Sequence, residues 1–154
     1  MIYLYRSCCL ALLALLIVPI CHGQTNRLPA TYTGRQLLVG SGGGFSGATT
    51  TYSLLDNGQL FRQTQADTIA LALGRLTTGT TARLFSQLEK RCRIRQTHFD
   101  HPGNLYQFVG WQRGQIRHTV TWGDNDHSPP ARFEAFYQHF FRQLPSPPST
   151  PPGL

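Results

Sequence analysis

The residues of this sequence best suited to chemistry are its histidines and the acidic residues near them. His98 and His101 flank Asp100 in a polar stretch, and His118 and His127 follow further along the chain. Imidazole nitrogens and carboxylates bind zinc, so a metal-dependent hydrolase using His98, His101 and Asp100 is one hypothesis. Two ligands three residues apart in a loop are weak evidence, however, and the helical His-Glu-x-x-His spacing is missing. We therefore expect no metal, no cofactor and no enzymatic activity.

Other motifs that could carry chemistry are incomplete. Asp124-Asn125-Asp126 resembles the opening of a calcium loop, but the glycine and the distant glutamate of that loop are absent. Gly42, Gly44 and Gly47 fit the dinucleotide pattern G-x-G-x-x-G, with Asp67 about twenty residues later. That motif needs a helix after the glycines to meet the pyrophosphate, whereas the residues that follow favour a strand. No G-x-S-x-G serine motif is present.

The first 23 residues have the pattern of a secretory signal peptide. Arg6 supplies the positive charge, Leu10 to Ile20 form an apolar run, and a small residue precedes Gln24, where we place the cleavage. The apolar run is about half of the length that spans a bilayer, so we expect no membrane span. The chain is then secreted or periplasmic, and a lipid anchor at Cys21 is the alternative.

The cysteines and the net charge indicate whether the chain has disulfides and which classes of partner it could bind. Cys8, Cys9 and Cys21 all lie in the signal peptide, which leaves Cys92 as one unpaired thiol with no internal disulfide. We expect Cys92 to be buried and inactive, although its arginine neighbours would lower its pKa if it were exposed. The formal net charge of +7 comes almost wholly from scattered arginines. We interpret it as aiding solubility and steering an acidic partner, with no nucleic acid involved.

The elements that must position these residues centre on a glycine block, which has five glycines between positions 40 and 47. Strand-like sequence lies on both sides, so the block specifies backbone conformation. Alternation and turn signals predict further strands, and Asp56-Asn57-Gly58 predicts a hairpin turn. The predicted strands are 35–39, 48–55, 59–63, 105–111 and 115–122, with 67–76 as a sixth that also fits helical spacing.

Two helices complete the prediction. Threonines 78, 80 and 81 are candidate caps for a helix over 80–90, and Ser128 is a candidate cap for a final helix. The final helix has a stripe of mainly aromatic residues at helical spacing from Phe133 to Leu144. This aromatic stripe must bury against the sheet. The fold class is therefore α+β, with an antiparallel sheet of five or six strands packed by both helices. We divide the chain into signal peptide (1–23), flexible lead-in (24–34), one domain (35–144) and a disordered Pro/Ser-rich tail (145–154).

The order of these features resembles the emfourin family, which are small bacterial inhibitors of thermolysin-like (M4) metalloproteases. The likeness is carried by Gly43-Gly44-Phe45-Ser46-Gly47 after an apolar strand, then by Tyr106-Gln107-Phe108, Arg117-His118-Thr119-Val120 and a terminal aromatic helix. The chain also resembles other exported bacterial proteins, which have a Gly-Gly-Gly-Phe-Ser/Thr-Gly segment. The resemblance implies a non-catalytic binding module whose protein partner is a metalloprotease, and an envelope protein with another partner is the alternative. We expect the module to be a monomer.

Two loops are the candidate binding sites of such a module. The first consists of Gly42, Gly43, Gly44, Phe45, Ser46 and Gly47, and the second of Asp124, Asn125, Asp126 and His127. An inhibitor would use them as rigid plugs of the protease cleft. We expect the Phe45 side chain to fold back into the core between sheet and helix. The alternative is that it protrudes as a contact residue.

Overall fold

Seven strands form one sheet in the computed structural model, which describes residues 28–145. All neighbouring strands are antiparallel except one parallel pair at an edge, so the fold is α+β as predicted. The strands are β1 (Arg35–Gly43), β2 (Thr49–Leu55), β3 (Gln59–Thr64), β4 (Leu71–Arg75), β5 (Phe99–His101), β6 (Leu105–Arg113) and β7 (Ile116–Trp122). The α-helices are α1 (Thr78–Ser86) and α2 (Ala131–Phe141), and a π-helical turn (Gln87–Arg91) continues α1.

The sheet is built around β1. The strand order is β4-β3-β2-β1-β6-β7-β5, and β1 pairs with β2 from Gln36 to Gly42 and with β6 along its whole length. A strand that is hydrogen-bonded on both sides cannot shift its register without exposing its apolar face. β1 therefore fixes where the loops at its two ends lie.

One face of the sheet meets the helices and forms the core. Leu37 and Val39 of β1 face Trp111 and Val109 of β6 in register, and all four are buried. The helices contribute apolar side chains at the predicted helical spacing, and the fully buried ones from α2 are Phe133, Phe136 and Phe140. The aromatic stripe thus packs as expected.

The opposite face is lined by glycines under aromatic rings. The Phe108 ring lies over Gly40, where an added Cβ would come within 2.6 Å of a ring carbon. Tyr106 lies over Gly42 in the same way and hydrogen-bonds the Thr49 hydroxyl at 3.1 Å. Part of the glycine block therefore exists to make room for rings from the neighbouring strand.

Both helices begin at residues other than the predicted ones. Thr77 caps α1, because its hydroxyl accepts a hydrogen bond from the Thr80 N–H at 3.2 Å, so the helix starts before position 80. α2 begins at Ala131 directly after Pro130, with no side-chain cap, and Ser128 therefore does not have the predicted capping role.

The strand count exceeds the predicted five or six because of β5. Residues 99–101 lie in the segment predicted as a polar loop, but they pair in parallel with Val120–Trp122 at the edge of the sheet. Three residues are too few for alternation to be visible in sequence. The ambiguous segment 67–76 does contain a strand, β4, as we favoured.

Some predicted segments fall partly or wholly outside the described residues. The signal peptide (1–23), the proposed cleavage site, the Cys21 anchor and positions 146–154 of the tail all lie outside them. Of the predicted lead-in, residues 28–34 are described and are attached to the sheet: the Gln36 amide donates to the carbonyl oxygens of Pro29 and Tyr32, and the Tyr32 hydroxyl donates to Asp56. Among residues 28–145, no helix has the length and apolarity to cross a membrane.

The packing of α2 gives a first prediction. Phe136→Ala removes a fully buried ring from the centre of the core and should lower the free energy of unfolding by about 3 to 5 kcal/mol. Ile69→Ala, at a side chain that is 69% exposed, is the control and should change it by less than about 0.5 kcal/mol. Urea denaturation followed by circular dichroism measures both. Equal effects would contradict the placement of α2 against the sheet.

Candidate functional site

Three loops meet at one end of the sheet. They are the glycine loop (residues 44–48, between β1 and β2), the middle loop (102–104, between β5 and β6) and the aspartate loop (123–130, between β7 and α2). The Gly44 N–H donates to the Asn104 carbonyl at 2.7 Å, which joins the first two loops. The Asp124 N–H donates to the His101 carbonyl at 3.1 Å, which joins the third loop to the end of β5. The structure thus brings both predicted binding loops to the same end of the sheet.

The glycine loop is fixed by its backbone. Gly43, Gly44 and Gly47 have φ values of 99°, 77° and 61°, which other residues rarely adopt. Two internal hydrogen bonds close the turn, from the Gly43 N–H to Ala48 and from the Gly47 N–H to Gly44. The glycine block therefore serves two purposes: alternate residues accept rings, and the last ones form the turn.

Phe45 lies at the tip of this loop and is fully exposed. Our expectation that it folds back into the core is wrong. β1 pairs with β6 as far as Gly43, so the turn begins beyond the sheet and its side chains cannot reach the core. Leu105, which is 69% exposed, lies against Gly44, where an added Cβ would be 3.4 Å from its Cδ2. Two large apolar side chains thus face solvent on one edge of the site.

A cleft of about 580 Å³ lies beside the glycine loop. Its walls come from the loop end of β1, from β6, from Trp122 and Gly123, and from Glu134 on α2. Ser41 in its wall makes a side-chain hydrogen bond with Tyr137 of α2, and burial raises the pKa of the Tyr137 hydroxyl. The cleft is lined mainly by backbone and small or neutral side chains. Among residues 28–145, Glu134 is the one ionisable carboxylate in its wall.

The aspartate loop contains a cluster of ionisable side chains. The Asp124 carboxylate accepts from the Asp126 N–H at 3.0 Å and lies 2.6 Å from His127 Nδ1. The Asp126 N–H and then His127 hold the pKa of the Asp124 carboxyl below its ordinary value. The His127 ring in turn stacks on His101 with ring centroids 4.0 Å apart. Asn125 is exposed at the tip.

The side chains of His101, Asp124 and His127 are the group in this region that could hold a metal ion, since their donor atoms lie within 4.8 Å of one another. His98 does not belong to this cluster. Asp100 alternates with His101 along β5 and is directed to the other face of the strand. The predicted His98, Asp100 and His101 set is therefore not brought together, and sequence spacing gave no sign that His101 would meet the aspartate loop.

Ring geometry works against coordination in this arrangement. The lone pairs of an imidazole lie in its ring plane, and the planes of His101 and His127 are 14° from parallel. Such rings cannot both direct a nitrogen to one ion at about 2.0–2.1 Å unless one of them turns. His127 also already contacts the Asp124 carboxylate. In this arrangement, the three side chains hold the aspartate loop against the end of β5.

Cys92 is buried in the core beside Arg132. Its thiol donates to the Arg132 carbonyl at 3.5 Å, and burial raises its pKa to about 11 against the smaller opposing effect of the Arg132 charge. A thiol with this pKa carries almost no thiolate, which is the reactive form, near neutral pH. The prediction of a buried thiol is confirmed.

The chain matches no protein-family model and no curated protein sequence. The resemblance to emfourin-type inhibitors therefore rests on the Gly43-Gly44-Phe45-Ser46-Gly47 motif and on the order of the sequence features.

The turn geometry gives a second prediction. Gly43→Ala should lower the free energy of unfolding by about 1 to 3 kcal/mol, because it places a Cβ at a φ of 99° and drives it into the Asn104 carbonyl. Gly47→Ala, which has open space around it, should cost only about 1 kcal/mol for its left-handed backbone. Amide hydrogen exchange should show faster exchange at Gly44 in the first variant only. Identical exchange in both variants would contradict the joining of the two loops.

Proposed function

We propose that the chain is an exported, non-catalytic binding module that uses the glycine loop to hold a protein partner. The observation that carries the proposal is the fully exposed Phe45 ring at the tip of a turn with a fixed backbone. Leu105 is also exposed and lies against the same loop at Gly44, and exposed apolar surface shared by neighbouring side chains is typical of interaction sites. Export is inferred from the first 23 residues of the sequence alone.

The energetics of such a contact are favourable. Burying a phenylalanine side chain contributes about 1.5–3 kcal/mol, which is the size of effect found at interface hot spots. The hydrogen bonds of Gly43, Gly44 and Gly47 set the loop conformation before binding, so little backbone entropy remains to be lost. Leu105 and the adjoining cleft extend the apolar contact beside the ring.

The partner class comes from the sequence resemblance. A protein inhibitor of a thermolysin-like metalloprotease would insert a rigid loop into the protease cleft and supply no chemistry. The loop end of this sheet fits that role, because two loops project there and are joined through the middle loop. The function supported best is therefore inhibition of a metalloprotease through Phe45 and its neighbours.

An inhibition assay tests this proposal. The purified protein should inhibit a thermolysin-type protease without being cleaved and should leave a serine protease unaffected. Phe45→Ala should raise the inhibition constant by about 10- to 100-fold, which corresponds to about 1.4–2.8 kcal/mol of lost burial. The melting temperature should stay unchanged because the ring touches no core residue.

The control for this assay is Ile116→Ala, which removes an exposed apolar side chain at the opposite end of the sheet. It should inhibit like the unmodified protein. Absence of inhibition would exclude the protease class, and equal inhibition by Phe45→Ala would exclude the loop as the contact.

The alternative is a metal-dependent hydrolase, which in this structure would have to use His101, Asp124 and His127. Because the two rings are stacked and Asp124 is engaged, we expect isothermal titration to show no tight zinc binding. Tight one-to-one binding that is lost in His101→Ala and His127→Ala but kept in His98→Ala would favour the alternative instead. His98→Ala is the matched control, since it removes an imidazole outside the cluster.

A further inference from the structure

The opposite end of the sheet carries a cleft of about 670 Å³ lined by four arginines. They come from four places in the chain: Arg35 starts β1, Arg113 ends β6, and Arg93 and Arg95 lie in the turn after the π-helical segment. Glu89 is the one acidic residue in the wall. We propose that this cleft binds a small ligand bearing two or more oxyanion groups.

The single acidic residue of the wall is already engaged. Both carboxylate oxygens of Glu89 lie 3.3 Å from Arg35, and one of them accepts from the Trp111 indole N–H at 2.8 Å. Asp56 also contacts Arg35 at 3.4 Å from below the cleft. Arg93, Arg95 and Arg113 have no carboxylate partner among residues 28–145. Their positive charge is therefore unbalanced within the described part of the chain.

Two locally unfavourable features, a like-charge pair and a strained backbone conformation, indicate a functional role for these arginines. Arg35 and Arg113 lie directly opposite each other on β1 and β6, where like charges repel, and the Asp56 and Glu89 carboxylates offset this repulsion on the Arg35 side alone. Arg93 has a φ of 55° and is the one non-glycine residue with positive φ among residues 28–145. It follows the end of a helix, a position that glycine occupies with less strain. An anion between the guanidinium groups would offset the repulsion and make use of the strained residue.

The cleft also orients its donors. The Arg95 guanidinium stacks on the Trp111 ring at 5.3 Å, and the Arg93 Nε donates to the Gln96 side chain at 2.8 Å. A held guanidinium presents a planar pair of N–H groups that matches carboxylate, phosphate or sulfate oxygens. The volume is in the range of small-molecule sites, and Ile116 gives the rim an apolar edge.

Isothermal titration with inorganic pyrophosphate and with citrate, at fixed salt concentration, tests the proposal and separates phosphate from carboxylate ligands. We expect saturable one-to-one binding of at least one of them. Arg95→Ala and Arg113→Ala should each weaken it at least tenfold. Arg117→Ala is the matched control, because Arg117 alternates with Ile116 along β7 and faces the other side of the sheet, and it should weaken binding less than threefold.

Arg95→Lys separates a shaped site from a general attraction to positive charge. It keeps the charge but loses the planar fork, so it should bind nearly as weakly as Arg95→Ala. Thermal melting confirms that each variant is folded. Absence of saturable binding by both probes, equal weakening by Arg117→Ala, or full binding by Arg95→Lys would overturn the proposal.

Discussion

The structure depends on the double pairing of its central strand. β1 is hydrogen-bonded to β2 on one side and to β6 on the other, and its apolar residues meet Val109 and Trp111 in the core. On the opposite face, Gly40 and Gly42 leave space for the rings of Phe108 and Tyr106. A side chain at either glycine would force a ring away from the strand. This one strand thus determines the position of both ends of the sheet.

Each end uses that rigidity differently. At the loop end, the glycines of the turn hold the apolar ring of Phe45 in solvent. At the other end, β1 and β6 bring two arginines face to face, and the turn after the π-helical segment adds Arg93 and Arg95. Both arrangements reduce the stability locally, and the well-packed core on the helix face offsets that loss. Local cost within a stable scaffold is typical of surfaces that bind something.

The helix face carries stability and contributes little chemistry. Its aromatic residues fill the space between α2 and the sheet, and Cys92 lies among them with a pKa that burial raises. The ionisable groups that do meet, His101, Asp124 and His127, are arranged to close a loop.

The sequence by itself determined the elements whose signals are local. The aromatic spacing of α2, the β-branched strands and the α+β class follow from periodicity and side-chain preference, which act over a few residues. Contacts between distant segments had to come from tertiary structure: the three-residue strand β5, the meeting of His101 with the aspartate loop, and the convergence of four arginines. The exposure of Phe45 was decided in the same way, since it depends on how far β1 remains paired with β6. Periodicity reports which face of an element is buried, but only long-range pairing decides which loop ends lie together.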